Sequence, residues 1–438
     1  MDKVNKIPKV IYIFLLGYIC LIPFYYYPFI SFLGVRMPII KYFPLFLILL
    51  LLVNLLYTKP DNIKAFKQGK LNLCILFYFF LTLFSGLGTN YYHISILKTI
   101  YYSLTGILIY FIIYFWRLSQ TDKLTFLRSM VIIGFLVSLY GIVTLVIKKD
   151  VLFAGLEYSK SNLINPKIFL EMGRISSSFG NPLFLGGFLS AIFPPSLFLH
   201  LLNLEQKKLP SYLTAIMPIV IFIAIILTFS VGAFLGIIAF YILYHIKIKE
   251  LYKTSSVYTI YEGARILFFC GIVLLCAVLF MMATNALLYL QGRDYVFGEF
   301  FGRFDFHRLA NVEAISLRLD SLRCALNFLK TNRCIFGIGI GSIGTGNNQF
   351  SRISMDNYYC LSLIESGILA SIILIITFYL IMKKGYNRFT NTTLVEQARL
   401  EGFLIGSLTI FFINMFFWDL LNHPTMRILF WSLVGFLV

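Results

Sequence analysis

Residues 211–247 read SYLTAIMPIV IFIAIILTFS VGAFLGIIAF YILYHIK, with no formal charge before Lys247. A helix crosses a ~30 Å hydrocarbon core with about 20 apolar residues. This stretch is too long for one crossing. Ser230-Val231-Gly232 places a small-residue break near its middle, so it divides into two spans, 211–229 and 232–247. Working outward, apolar blocks of similar length recur along the chain. They predict helices near 10–32, 38–57, 71–88, 97–116, 126–147, 183–202, 264–284, 358–382, 398–417 and 424–438. The expected fold is an all-α polytopic membrane protein of about twelve transmembrane helices, a single integral membrane domain over 1–438.

Composition requires the same class. Of 438 residues, 59% are hydrophobic and only 13% charged, against roughly 25% in soluble domains. Mean hydropathy is +0.84. The block from Val10 follows a short basic start (Lys3, Lys6, Lys9), but no small-x-small cleavage site follows it. It reads as a retained first helix rather than a cleaved signal. The net charge of +18 fits the positive-inside rule and attraction to anionic lipid, not nucleic acid. The cysteines at 20, 74, 270, 276, 324, 334 and 360 have no metal-ligand spacing. A Cys324–Cys334 disulfide is one option left open.

Charge sets an orientation. With the N-terminus in the cytoplasm and strict alternation, the short inner segments hold Lys59, Lys64, Lys67 and Lys70; Arg117, Lys123 and Arg128; Lys207 and Lys208; Lys247, Lys249, Lys253 and Arg265; and Lys383, Lys384, Arg388 and Arg399. This is the basic bias expected of cytoplasmic loops, and it puts both termini inside. Two long external segments result: 148–182, and 285–357 between the ninth and tenth helices. Long ordered loops are usually functional, so chemistry is sought there. No duplicated half or pair of broken helices marks a secondary transporter.

In the second segment, Ile315 to Leu329 carries apolar residues at 315, 319, 322, 326 and 329. That is helical spacing with one stripe, for a helix lying on the bilayer or capping the bundle. Arg318 flanks the stripe, within reach of an interfacial site. Arg323 lies three residues from Asp320, where it can pair. The run Phe336-Gly-Ile-Gly-Ile-Gly-Ser-Ile-Gly344 lacks the Lys-Ser/Thr of a nucleotide loop. It serves either as a tight, closely packed turn or as a set of amides, Gly339 among them, for a phosphate. Asp356-Asn357 opens the next helix. Asp356 is a general base toward a hydroxyl or a helix cap. Glu365 is nine residues on, half a turn round the helix, so the two acids do not form a facing dyad. It packs or bonds within the bundle, though an acid inside a span also warrants a functional reading. The first segment ends Gly173-Arg174-Ile-Ser-Ser-Ser-Phe-Gly180-Asn181-Pro182, a turn that launches a helix and leaves Arg174 as a lipid anchor or a diphosphate grip. Asp419 and His423 stand in the last external turn, either near the same site or as structural hydrogen-bonding groups. His200, His245 and His307 show no ligand pattern.

Taken in order, these motifs resemble the O-antigen ligase and polysaccharide polymerase superfamily of bacterial inner-membrane glycosyltransferases. The resemblance covers about Gly173 to Pro424. It rests on Arg174 with Ser-Phe-Gly-Asn-Pro182, Thr228-Phe-Ser-Val-Gly-Ala-Phe-Leu-Gly236, Arg318 ahead of Ala325-Leu326 and the glycine turn, and Asp356-Asn357-Tyr with Glu365-Ser-Gly367. It departs from the family at Val231 (commonly Arg), Leu183 (commonly Asn) and Arg333-Cys334 (usually a Pro before the turn). Where ligases commonly have His-Asn, this chain has Asp356-Asn357, which favours polymerase. The resemblance implies a GT-C-like bundle with a large periplasmic loop. It implies an undecaprenyl-diphosphate-linked oligosaccharide donor and a lipid-linked sugar hydroxyl as acceptor. Transfer would be inverting, with no metal or nucleotide cofactor. Arg174 and Arg318 would hold the diphosphate, Asp356 would act as base and Asn357 would orient it or the sugar. Asn181, Arg323, Glu365, Gly339 and His423 would line the substrate site. Membrane lipids and a chain-length regulator or flippase of the same pathway would be partners. The alternatives are an O-antigen ligase or protein O-oligosaccharyltransferase using the same donor, and a lipid-linked glycan flippase.

Overall fold

The structure, a computed structural model, describes residues 69–87, 92–116, 119–147, 174–206, 210–243, 312–343, 357–392 and 395–437, residues 30–32 and 35–37, and positions 13, 16, 17 and 89. The predicted helices at 38–57 and 264–284, and much of both external segments, lie outside the described residues.

Two short strands, β1 (Ile30–Phe32) and β2 (Val35–Met37), pair antiparallel with Ile30 opposite Met37. The expected first helix was to run to residue 32, so its end is corrected. Pro28 lacks the N–H a continuing helix needs, and Ile-Ser-Phe suits a strand. Among the described residues, all other regular structure is helical: α1 (Lys70–Leu87), α2 (Tyr92–Thr105), α3 (Ile107–Trp116), α4 (Gln120–Ile147), α5 (Pro182–Gln206), α6 (Ser211–Thr228), α7 (Val231–Leu243), α8 (Val312–Phe328), α9 (Tyr358–Asn391), α10 (Val395–Phe417) and α11 (Pro424–Leu437). Among the described residues, six helices are long and apolar enough to cross a membrane, counting α2 and α3 as one. α5 stays helical through Pro194-Pro195, which membrane helices tolerate because neighbours satisfy the freed carbonyls.

The expected break at 229–230 is present. Phe229 adopts a left-handed conformation (φ 50°), and α6 packs antiparallel along α5. Thr214, early in α6, bonds His200 near the end of α5 at 3.0 Å, whereas Leu227 at its other end accepts from the Ile175 N–H at 3.1 Å. α7 then runs antiparallel to α10, with Gly232 against Asn414 and Phe417 and Phe240 against Phe403. α9 packs on α1 and α10, and α11 on α3.

The surface is apolar where a soluble protein would be polar. Phe77, Phe80 and Phe84 line one face of α1 and are each more than half exposed, as are Leu136 and Val146 on α4. Polar groups such as Asn72, Ser138, Thr105 and Asn414 are buried instead. Such a surface is stable in hydrocarbon, where helices associate through packing and internal hydrogen bonds. The architecture is that of a multi-pass helical membrane protein.

Candidate functional site

α9 starts at Asn357, whose Oδ1 accepts from the N–H groups of Tyr359 and Cys360 at 2.9 and 3.1 Å. The helix cap is therefore Asn357, and this acceptor is occupied by the backbone. Ten residues on, Gly367 leaves helical geometry (φ 82°, ψ 174°). A kink there takes two carbonyls and two amides out of the helix's own hydrogen bonding. The glycine run supplies the partners. Ile338 and Gly339 donate to the carbonyls of Ile364 and Glu365 at 3.0 and 2.8 Å, and the amides of Ile368 and Leu369 donate to Cys334 and Ile335. The contact is backbone on backbone. A β-carbon on Gly337 would stand 2.4 Å from the Glu365 carbonyl oxygen, and one on Gly367 would stand 2.4 Å from that of Ile335. Of the two readings of this run, the structure has the close-packed turn. The amides of Gly337, Gly339 and Gly341 all serve protein acceptors: the Arg333 carbonyl, the Glu365 carbonyl and the Glu365 Oε1.

This docking fixes Glu365. Its Oε1 accepts from Gly341 N–H at 2.7 Å, and Lys98 on α2 donates to the Gly341 carbonyl at 3.1 Å. Ser85 on α1 donates to the Glu365 carbonyl and accepts from Gly339 N–H. Glu365 thus bonds within the bundle, as one sequence reading had it. It also lines a small cavity of ≈ 50 Å³ together with Tyr78, Tyr102, Tyr358, Asn422, Arg427 and Trp431.

Arg427 is the unexpected member of that cavity. It is 4% exposed, and its guanidinium lies 3.8 Å from the centre of the Tyr102 ring. Nη2 donates to the Asn422 carbonyl at 3.2 Å. Nε and Nη1 are buried with no hydrogen-bond partner. Gly106, between α2 and α3, makes room for it, since a β-carbon there would stand 2.8 Å from Arg427 Cγ and 2.6 Å from Trp431 Cδ1. The Tyr102 hydroxyl bonds Asn422, and Asn422 in turn donates to Asp419 at 3.1 Å. A buried cation lacking an anion costs several kcal/mol, and among the described residues no carboxylate pairs with Arg427. The unmet demand is for an acceptor group, preferably charged.

The chain is similar to an O-antigen polymerase. It is 28% identical over 236 residues to the O-antigen polymerase of Salmonella muenchen, a match covering 51% of this chain and 51% of that relative. The chain spans about half the length of the curated relative it matches. No family model matches. The resemblance to O-antigen polymerase read from the motifs is thus met by a distant homologue over half the chain.

The remaining expected residues are dispersed around the same end of the bundle. Arg174 is half-buried and donates from Nε to the Thr228 carbonyl at 3.0 Å, at the α6–α7 turn. Asn181 is buried and caps α5, its Oδ1 accepting from Leu183 N–H at 2.8 Å. His423 is buried, bonds Thr425 and stacks on Phe184 of α5 at 3.9 Å between ring centres. Burial, with the Arg427 charge beside it, pushes its imidazole down to about 3, so it is neutral and joins α5 to α11. None of these three lines the Arg427 cavity. Arg323 pairs with Asp320 at 3.3 Å, both exposed. Asp356 lies outside the described residues, as does the side chain of Arg318.

Two alternatives left open by the sequence are narrowed here. Of the two placements open for the Leu322–Leu326–Leu329 stripe of α8, its exposure fits the one facing the bilayer: Leu322 and Leu326 are 49% and 52% exposed. The packed face is Ser321, Cys324, Ala325 and Phe328, of which the last three join Cys360, Leu361 and Ile364 of α9. Small residues let α8 approach α9 closely, and the leucines are left outward. Cys324 and Cys334 are both free, so the disulfide option falls. The sequence reading missed Arg427 and Tyr102. A signal existed for the first: an arginine within the apolar helix α11, where an ionisable group is a functional candidate by default.

Proposed function

We propose that the protein is a polysaccharide polymerase of the O-antigen, capsule or exopolysaccharide type. It transfers an undecaprenyl-diphosphate-linked glycan onto a sugar hydroxyl of another lipid-linked repeat unit. The observation that carries this reading is Arg427, buried and stacked on Tyr102, with no hydrogen-bond partner for Nε and Nη1, lining a cavity it shares with Glu365. The motif order and the O-antigen polymerase homologue support the substrate class.

In the proposed step the acceptor hydroxyl oxygen attacks the anomeric carbon. The bond to the diphosphate oxygen breaks, and its electron pair leaves with the lipid diphosphate. Asp356 takes the hydroxyl proton, and configuration inverts. Negative charge grows on the leaving group, where positioned cations lower the barrier most. Arg427 joins Arg174 and Arg318 in that role. Glu365 is a positioning residue: it holds the glycine turn that walls the cavity. The diphosphate is already an activated leaving group, so the step asks for no metal. The bilayer keeps both lipid-linked substrates near one plane, which supplies proximity. In this reading both termini are cytoplasmic, and the end carrying Asn357, Arg174 and His423 is periplasmic, where a chain-length regulator or flippase of the pathway would meet it.

The test uses the purified protein in liposomes with the host's undecaprenyl-diphosphate repeat unit. Wild type should produce a ladder of lengthening glycans. Arg427→Gln should slow it by about a hundredfold, the usual scale for one transition-state donor, and Arg427→Lys by less. Equal unfolding temperatures would separate this from misfolding. Transfer only after a lipid A core or acceptor protein is added would make the protein a ligase. Translocation of the repeat unit without any transfer would make it a flippase.

A further inference from the structure

A second, larger cavity opens at the opposite end of the bundle. It is ≈ 760 Å³ and draws Lys123 from α4, Lys384 and Arg388 from α9, and Glu401 from α10. Three cations therefore face one carboxylate. Lys384 and Arg388 are one turn apart on the same side of α9, and all three cations are half-buried. The carboxylate does not neutralise them. Glu401 accepts from Gln397 at 3.1 Å and from Thr392 at 3.2 Å, and among the described residues it makes no ion pair with any of the three. Lys123 donates to the Phe436 carbonyl at 2.7 Å and Arg388 to that of Leu437 at 3.1 Å. These bonds hold the last turn of α11, whose partial negative charge favours cations, but they leave each cation with further donors. Among the described residues Lys384 makes no hydrogen bond and stands 5.9 Å from the centre of the Tyr114 ring. Asn387 and Asn391 add amide donors at the rim, and Ile113 offers an apolar inner wall.

We infer that this cavity binds the phosphate of an anionic phospholipid headgroup. The shared chemistry is a phosphate oxyanion. Three features favour a headgroup over a free ion: the volume, the apolar wall beside the cations, and a position at the helix ends, where headgroups lie. Basic pockets between transmembrane helices bind acidic headgroups in this way. Because Lys123 and Arg388 also hold the end of α11, the bound headgroup secures the helix that carries Arg427 at its other end. The inference stands independently of the polymerase reading.

The test is native mass spectrometry of the full chain in detergent, with phosphatidylglycerol or phosphatidylcholine added. Wild type should retain phosphatidylglycerol preferentially. Lys384→Gln should cut that preference roughly fivefold, the effect of one membrane-facing cation at about 1 kcal/mol, and Lys384→Arg should restore it. Equal unfolding temperatures of wild type and Lys384→Gln would separate lost binding from misfolding. Lys383→Gln is the control: Lys383 is exposed, stacks on Tyr379 and stands outside the cavity, so preference should be unchanged. Equal retention of the two lipids overturns the inference. So does an equal loss in Lys383→Gln, which would mean diffuse surface charge. If inorganic phosphate displaces phosphatidylglycerol from wild type but not the residual lipid from Lys384→Gln, the oxyanion chemistry is supported. If inorganic phosphate stabilises wild type while phosphatidylglycerol does not, the headgroup assignment fails.

Discussion

At the scale of the residue, His423 offers a measurement that reads burial directly. Its imidazole is pushed from the ordinary value near 6.5 down to about 3, first by burial and then by Arg427. The native site therefore refuses a proton that the unfolded chain accepts. Stability is full above pH 6.5 and falls as pH drops toward 3, by about 1.4 kcal/mol per pH unit. His423→Asn removes this titration and keeps a hydrogen-bonding group for Thr425. The stability difference between wild type and variant in detergent should shrink by about 2 kcal/mol from pH 6.5 to 5. A constant difference would mean that the imidazole titrates normally. Single-residue features were legible in the sequence when their partners were local. The Arg323–Asp320 pair follows from a spacing of three residues, whereas the cap of α9 is Asn357 rather than Asp356, the cap candidate read from the sequence. Arg427 on Tyr102 joins residues 325 positions apart, and no periodicity announces that.

Elements were read well where an apolar block had a length and an end. The 229–230 break and the spans from 183, 358, 398 and 424 are close to α5, α9, α10 and α11. The stripe of α8 left two placements open, on the bilayer or on the bundle, and spacing alone does not choose between them; the exposed Leu322 and Leu326 fit the bilayer. In a membrane protein an apolar stripe can just as well face outward, and small residues mark the tight contact. The kink of α9 was not anticipated, since a lone glycine within an apolar helix has many uses. Its docking yields a coupled prediction. Gly367→Ala places a β-carbon at a φ of 82° and 2.4 Å from Ile335 O, and Gly337→Ala meets the same interface from the other side. Each should destabilise by about 1–3 kcal/mol and lower the unfolding temperature in detergent. Both break one contact, so the double variant should cost clearly less than the sum. Full additivity would argue that the turn and the kink do not depend on each other.

For the whole molecule, the sequence supplied the class and the architecture supplied the arrangement. Arg174, Asn181, Gly339, Asn357 and His423 come from distant parts of the chain, yet each stands where a helix begins or a turn closes at one end of the bundle. Lys123, Lys384 and Arg388 occupy the other end. Alternation of spans produces this sorting: α9 carries Asn357 at its start and Asn391 at its finish, so the two ends must lie on opposite sides of a membrane it crosses. The basic bias assigns the Asn391 end to the cytoplasm. Lys330, after α8, and Asn391 are both exposed, and each can carry a single cysteine in a chain cleared of its own seven. In intact cells a membrane-impermeant maleimide should label Lys330→Cys, and label Asn391→Cys only after permeabilisation. The reverse pattern would invert the protein and put the Arg427 end on the cytoplasmic side, where an externally acting polymerase has no use for it. Labelling of both from one side would mean that α9 does not cross, and the bundle reading would fall with it.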